Sequence, residues 1–184
     1  MVRYRSVVFG VMTLAVAVVA ACQAPPLLAP AAAPAPSPAE RGKYLVTVMD
    51  CSGCHTPFKN GEPDMSLLLS GHPEGVGVTT PPKLPAGWAT AINTTNTEWF
   101  GPWGTSFTAN LTPDQNTGLG IWTEQMFIDA IRKGKHMGTS REILPPMPWR
   151  MQANLTDEDL KAIFAYLRSI PAISNHVPDP IPPK

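Results

Sequence analysis

The chain has 184 residues, 43% of them hydrophobic and 15% charged, which suits one folded domain with appendages and excludes disorder along the whole length. Fourteen Lys plus Arg balance fourteen Asp plus Glu, so there is no electrostatic footprint for nucleic acid. Cys51 and Cys54 stand close together while Cys22 is alone near the start, which argues against a disulfide framework, and 22 prolines exclude an uninterrupted helical bundle.

Arg3 and Arg5 precede an apolar run that ends in Val19-Ala20-Ala21-Cys22. Basic, apolar and small-residue regions in that order predict a secretory signal over residues 1–21, and the run is shorter than the roughly 20 apolar residues of a spanning helix. Small residues immediately before a cysteine resemble the lipobox of bacterial lipoproteins, which implies a lipidated Cys22 anchoring the chain to a membrane outside the cytoplasm. Residues 22–36 carry Pro25, Pro26, Pro30, Pro34 and Pro36 among alanines, a composition that favours polyproline II and reads as a tether.

A domain over residues 37–170 begins with Ser37-Pro38-Ala39-Glu40. A capping serine, a first-turn proline and a glutamate three residues on predict a helix running to about Asp50, with Tyr44, Leu45, Val48 and Met49 as its apolar face. Residues 61–105 form a Gly/Pro-rich insertion in which Gly71, Pro73, Gly75, Pro81, Pro82 and Gly87 predict sparse regular structure, an interruption that a buried cofactor would help to hold. Thr123 caps a second helix with Trp122 and Phe127 at the staple positions, and Gly134 ends it. Thr156 caps a third, with Asp157, Glu158 and Asp159 in its positive first turn. Leu160, Ile163, Phe164 and Leu167 form its inner face, and Pro171 stops it. Residues 171–184 make a Pro-rich tail expected to wrap the surface.

Cys51-Ser52-Gly53-Cys54-His55 is the C-x-x-C-H pattern of covalent haem attachment. Two thiols so spaced can add across the two vinyl groups of one porphyrin, giving one covalent haem c, and the adjacent imidazole of His55 can reach the iron. A thioredoxin-type pair needs a βαβ context and a zinc site needs a second ligand pair; the sequence offers neither. For the opposite axial position, Met147 lies in Leu144-Pro145-Pro146-Met147-Pro148-Trp149, where prolines stiffen an extended strap around it. Met137, His136, His72 and His176 are rival ligands, and an open sixth position is a further alternative.

Together with Asn110-Leu111-Thr112-Pro113-Asp114, Thr117-Gly118-Leu119-Gly120-Ile121-Trp122, Met147-Pro148-Trp149 and Leu155-Thr156-Asp157-Glu158-Asp159-Leu160, this ordered set resembles class I cytochrome c. It is most similar to the haem domains of the cytochrome subunits of bacterial membrane-associated dehydrogenases. The resemblance implies a mainly α, cytochrome c-like helical fold around one covalently bound haem, with the first and last helices crossing and Met147 on the iron opposite His55.

Asn110, Trp122 and Trp149 have two readings, as partners of the porphyrin or as turn and core residues. Arg132, Lys133, Lys135 and His136 read as a docking patch or as cations drawn to a helix C-terminus. The expected function is one-electron transfer in the periplasm or elsewhere outside the cytoplasm, from a dehydrogenase or carrier to a terminal oxidase or reductase, with no catalytic residues. A haem enzyme or sensor with a displaceable sixth ligand is one alternative. Another is a subunit that docks on a larger dehydrogenase through Trp99-Phe100-Gly101-Pro102-Trp103.

Overall fold

The computed structural model describes residues 34–183. The signal expected over 1–21, the lipidation expected at Cys22 and most of the tether lie outside the described residues. Among those described, no helix is long and apolar enough to cross a membrane.

Helix α1 spans Pro38–Val48 and opens with a complete capping box: Glu40 N–H donates to Ser37 Oγ (3.3 Å), and Ser37 N–H to the Glu40 carboxylate (2.8 Å). Its inward face differs from the one expected. Gly42, Leu45 and Val46 are buried, with Met49 packed beside them, whereas Tyr44 and Val48 are each 57% exposed. The i, i+3, i+4, i+7 stripe is thus set by Gly42, where the helix meets the last helix, α5 (Asp157–Ser169), so closely that a Cβ would collide with the Ala162 carbonyl. These first and last helices make the principal packing contact of the fold.

A short helix α2, Cys51–His55, follows at once. Asp50 caps it from a left-handed conformation (φ 52°), its carboxylate accepting from Gly53 N–H at 3.2 Å. Helix α3 (Glu124–Lys133) is capped by Thr123 and closed by Gly134 at φ 65°, as the sequence leads one to expect. A single turn, α4 (Trp149–Gln152), precedes α5. Leu160, Ile163, Phe164 and Leu167 on α5 are all buried, and join Phe127, Ile128 and Ile131 of α3 with Leu45 and Val46 of α1 in one core. The fold is mainly helical.

The insertion carries more order than expected. Strands β1 (Phe58–Lys59) and β2 (Glu62–Pro63) form a small hairpin; β3 (Ala91–Ile92), β4 (Glu98–Gly101) and β5 (Gly104–Phe107) form a three-stranded antiparallel sheet. The β4–β5 register pairs Trp99 with Ser106 and Gly101 with Gly104, so the turn is Pro102-Trp103, relieved by Gly104 at φ 95°. Buried Glu98 disguises the strand pattern. Its carboxylate accepts from Thr79 N–H (3.0 Å), Thr79 Oγ1 (2.9 Å) and Asn93 Nδ2 (3.2 Å), which ties the irregular 76–90 segment to the sheet. The tail runs back over the sheet, where Thr105 and Ile181 exchange backbone hydrogen bonds of 2.8 and 2.9 Å.

Candidate haem-binding site

The α2 turn presents two half-buried free thiols, Cys51 and Cys54, on either side of Ser52-Gly53. Burial, reinforced by the nearby Asp50 charge, pushes the Cys51 thiol up to about 11 and raises that of Cys54. Both sulfurs are therefore protonated thiols at neutral pH, the form that adds across a double bond with its own hydrogen.

His55, 8% exposed, ends α2 with its Nδ1 2.8 Å from the Ala109 carbonyl oxygen. A carbonyl only accepts, so Nδ1 carries the proton and Nε2 keeps its lone pair. Among the described residues no protein group bonds Nε2. Burial lowers the His55 pKa, partly offset by the bond to Ala109, and keeps the ring neutral. The holder is itself held: Gly71 N–H donates to the His55 carbonyl (2.8 Å), His72 N–H to Thr108 O (2.9 Å) and Leu111 N–H to Leu69 O (2.8 Å). Gly71, at φ 81°, lies so close to residues 108 and 109 that a Cβ would strike their backbone.

Cys51 opens onto a narrow cleft of about 60 Å³ running between α1, α3 and α5. Val46, Leu111, Phe127, Ile131 and Leu160 line it, and Met147 projects into it from the proline strap. A thiol, a thioether and a greasy wall share one cleft, and the same short helix carries, outside the cleft lining, the Cys54 thiol and the His55 imidazole with its spare lone pair; these are the donor types that a covalently attached haem requires.

The rival ligands are placed elsewhere. Fully buried His72 has both ring nitrogens occupied, Nδ1 by the Thr97 hydroxyl and Nε2 by the Val76 carbonyl, each at 3.0 Å. His136 meets Trp122 edge-on at 5.1 Å between ring centroids, His176 is exposed, and Met137 sits in a 3₁₀ turn at φ 55°. None of these four lines the cleft.

Asn110 resolves as a turn residue. Its Oδ1 accepts from Thr112 N–H (2.9 Å) and Thr112 Oγ1 (2.7 Å), while Nδ2 donates to Ile173 O (2.8 Å) and Thr117 Oγ1 (3.2 Å). Trp149 stacks over Gly134 and under the Arg150 guanidinium. The basic patch is largely engaged: Arg132 bonds the Asp157 carboxylate (2.5 Å) and the Ala153 carbonyl, and Lys133 pairs with Asp129 (2.8 Å). Sequence reasoning missed Asn175. From the tail its Nδ2 donates to Ser70 O (2.7 Å) and His72 O (2.9 Å), pinning the loop that aligns His55, and no short-range pattern announces it.

The cytochrome c family model matches residues 39–171, which takes in the attachment turn, the strap and all three long helices. The chain belongs to the cytochrome c family. Covalent haem c is the cofactor of that family, and the cleft and donor set of this cytochrome fit it.

Among curated proteins, the chain is 31% identical over 138 residues to the fructose dehydrogenase cytochrome subunit of Gluconobacter japonicus, covering 75% of this chain and 22% of the relative. It is 29% identical over 143 residues to the cytochrome c subunit of a quinone alcohol dehydrogenase from Gluconobacter oxydans, covering 76% and 23%. To the gluconate 2-dehydrogenase cytochrome c subunit of Pantoea cypripedii it is 31% identical over 127 residues, covering 69% and 22%. This cytochrome thus spans under a quarter of the length of those relatives.

Proposed function

We propose that this cytochrome is a one-electron carrier with a single haem c, held through Cys51 and Cys54 and ligated by His55 and Met147. The supporting observation is that Met147 enters the cleft beside Cys51, while the Ala109 carbonyl leaves His55 Nε2 as a lone-pair donor. A bound haem supplies reversible ferric–ferrous exchange, and a thioether ligand raises its potential relative to bis-histidine ligation.

The polypeptide's part is to orient and to exclude. The Ala109 carbonyl fixes the His55 tautomer, the proline strap aims the thioether, and Phe127, Ile131 and Leu160 keep water off the apolar faces. His55 and Met147 together would leave no position on the iron for a substrate. The chain would act outside the cytoplasm, anchored through lipidated Cys22. It would take electrons from a dehydrogenase, as the names of the relatives suggest, and pass them to a terminal oxidase or reductase.

Met147→Ala should retain covalent haem, because both thiols are untouched, but should lower the potential and let the ferrous form bind carbon monoxide. A variant that keeps the parental spectrum and refuses carbon monoxide would sink the Met147 assignment. Ready carbon monoxide binding by the unaltered protein would favour the haem enzyme or sensor instead.

A further inference from the structure

His55 is gripped at two points, and both grips run through residues 69–72. Its carbonyl accepts from Gly71 N–H (2.8 Å), and its Nδ1 donates to the Ala109 carbonyl (2.8 Å). The chain carrying Ala109 is bonded back to the same stretch on either side. His72 N–H donates to Thr108 O (2.9 Å) before it, and Leu111 N–H to Leu69 O (2.8 Å) after it. Where residues 69–72 sit therefore decides how the Ala109 carbonyl meets the imidazole.

Residues 68–90 belong to no helix or strand, so no regular ladder fixes that stretch. Asn175, from the tail and 8% exposed, supplies what a ladder would. Its Nδ2 donates to the carbonyls on both sides of Gly71, Ser70 O (2.7 Å) and His72 O (2.9 Å), and its Oδ1 accepts from Glu74 N–H (2.8 Å). Among the described residues neither carbonyl has another partner. Only an amide side chain carries two N–H donors and a carbonyl acceptor in one plane, which is what these three backbone groups demand.

The tail is in turn fastened to the segment that follows Ala109. Asn175 N–H donates to Thr117 Oγ1 (3.0 Å), Ile173 N–H to Thr112 Oγ1 (3.1 Å), and Asn110 Nδ2 to Ile173 O (2.8 Å). Asn175 thus bridges residues 70–74 and 110–117, the two segments that meet at the imidazole, and every polar group it presents to them is satisfied.

We propose that Asn175 is a positioning residue for the iron's histidine: from the tail it locks residues 70–72 against the Ala109 segment and so fixes the hydrogen bond from His55 Nδ1 to the Ala109 carbonyl. The proposal rests on the haem reading above. A firm bond at Nδ1 makes Nε2 a stronger donor, which favours ferric iron and holds the potential down. The tail, more than a hundred residues from the attachment turn, thereby takes part in tuning the metal.

The test uses mature holoprotein, ¹⁵N-labelled at histidine, carrying Asn175→Leu, which keeps the volume and removes all three hydrogen bonds of the side chain. Ile128→Val, a truncation in the buried core that does not line the cleft, shows what loss of stability alone does. The expected result for Asn175→Leu is one haem per chain, a higher midpoint potential, and exchange of the His55 Nδ1 proton about tenfold faster in the ferrous form, the factor that loss of one hydrogen bond gives. Ile128→Val should melt earlier yet keep the parental potential and exchange. A fully haem-loaded Asn175→Leu with a parental or lowered potential, or with parental exchange, overturns the proposal. Should that variant fail to mature, hydrogen exchange of the unaltered protein decides. Asn175 side-chain amide protons protected as strongly as His55 Nδ1–H and Gly71 N–H support the lock; a side-chain amide that exchanges freely while those two stay protected overturns it. Material without covalent haem overturns the haem reading itself, and this proposal with it.

Discussion

His72 is wholly buried yet neutral, and its titration has a cost with a definite sign. Burial lowers its pKa, with the Val76 carbonyl and the Glu98 charge opposing, and burial likewise lowers His136, aided by Arg141. A histidine depressed in the fold binds its proton more readily when unfolded. The stability it lends is therefore complete above its ordinary value of about 6.5 and drains away as pH falls below that. The thermal midpoint of the holoprotein should drop from pH 7 to pH 5, and His72→Gln should flatten part of that slope. Asp64, Asp114 and Asp129 are held low by hydrogen bonds from Ser66, Thr117 and Lys133 respectively. Their losses begin only near the carboxylate range, about pH 4, so the two windows separate in one pH series. A midpoint flat between pH 7 and 5 would show that burial does not govern these imidazoles.

Between elements, the closest approach is at Gly42 against Ala162 and Tyr166, where α1 and α5 cross. Gly42→Val should force the helices apart and destabilise the holoprotein by about 1–3 kcal/mol. At this chain length each kcal/mol lowers the midpoint by about 2–4 °C, measurable by calorimetry. A variant that melts with the parent would mean that the crossing accommodates a side chain.

The three long helices were legible in the sequence because each carries local grammar: Ser37 with Glu40, Thr123 with Gly134, and Thr156 with its acidic first turn. The inward face of α1 was less so, because a glycine that permits contact carries no hydropathy of its own. The β3–β5 sheet was hidden for a related reason. Its alternation places Glu98 where an apolar residue is expected, and the partners that make this burial tolerable lie up to 19 residues away. Asn175 lies further out, bonding residues more than a hundred positions upstream. The attachment turn was legible because its chemistry is contiguous in the chain. The strap needed the fold to bring Met147 to the cleft that Cys51 also lines.

For the molecule as a whole, the helical core forms the wall of the cleft onto which Cys51 opens. Val46 of α1, Ile131 of α3 and Leu160 of α5 all border the same cleft and are buried among their neighbours, so three helix faces converge where a covalent haem would add its own apolar surface. Cys51→Ser with Cys54→Ser should deny the chain its covalent haem and leave an expanded state. Helical far-ultraviolet dichroism would be retained in part, and near-ultraviolet signal and proteolytic resistance largely lost. A cooperative, protease-resistant double variant would show that the helices close on themselves unaided.

The return of the tail across β5 has its own consequence. Ile181 takes the outer backbone groups of Thr105, and Gly104 accommodates the crossing where a side chain would strike Ile181. The hairpin's rim is thereby sealed by its own polypeptide, and a foreign strand cannot extend the sheet there without first peeling the tail away. Recognition of another protein along that border therefore falls to protruding side chains rather than to backbone pairing.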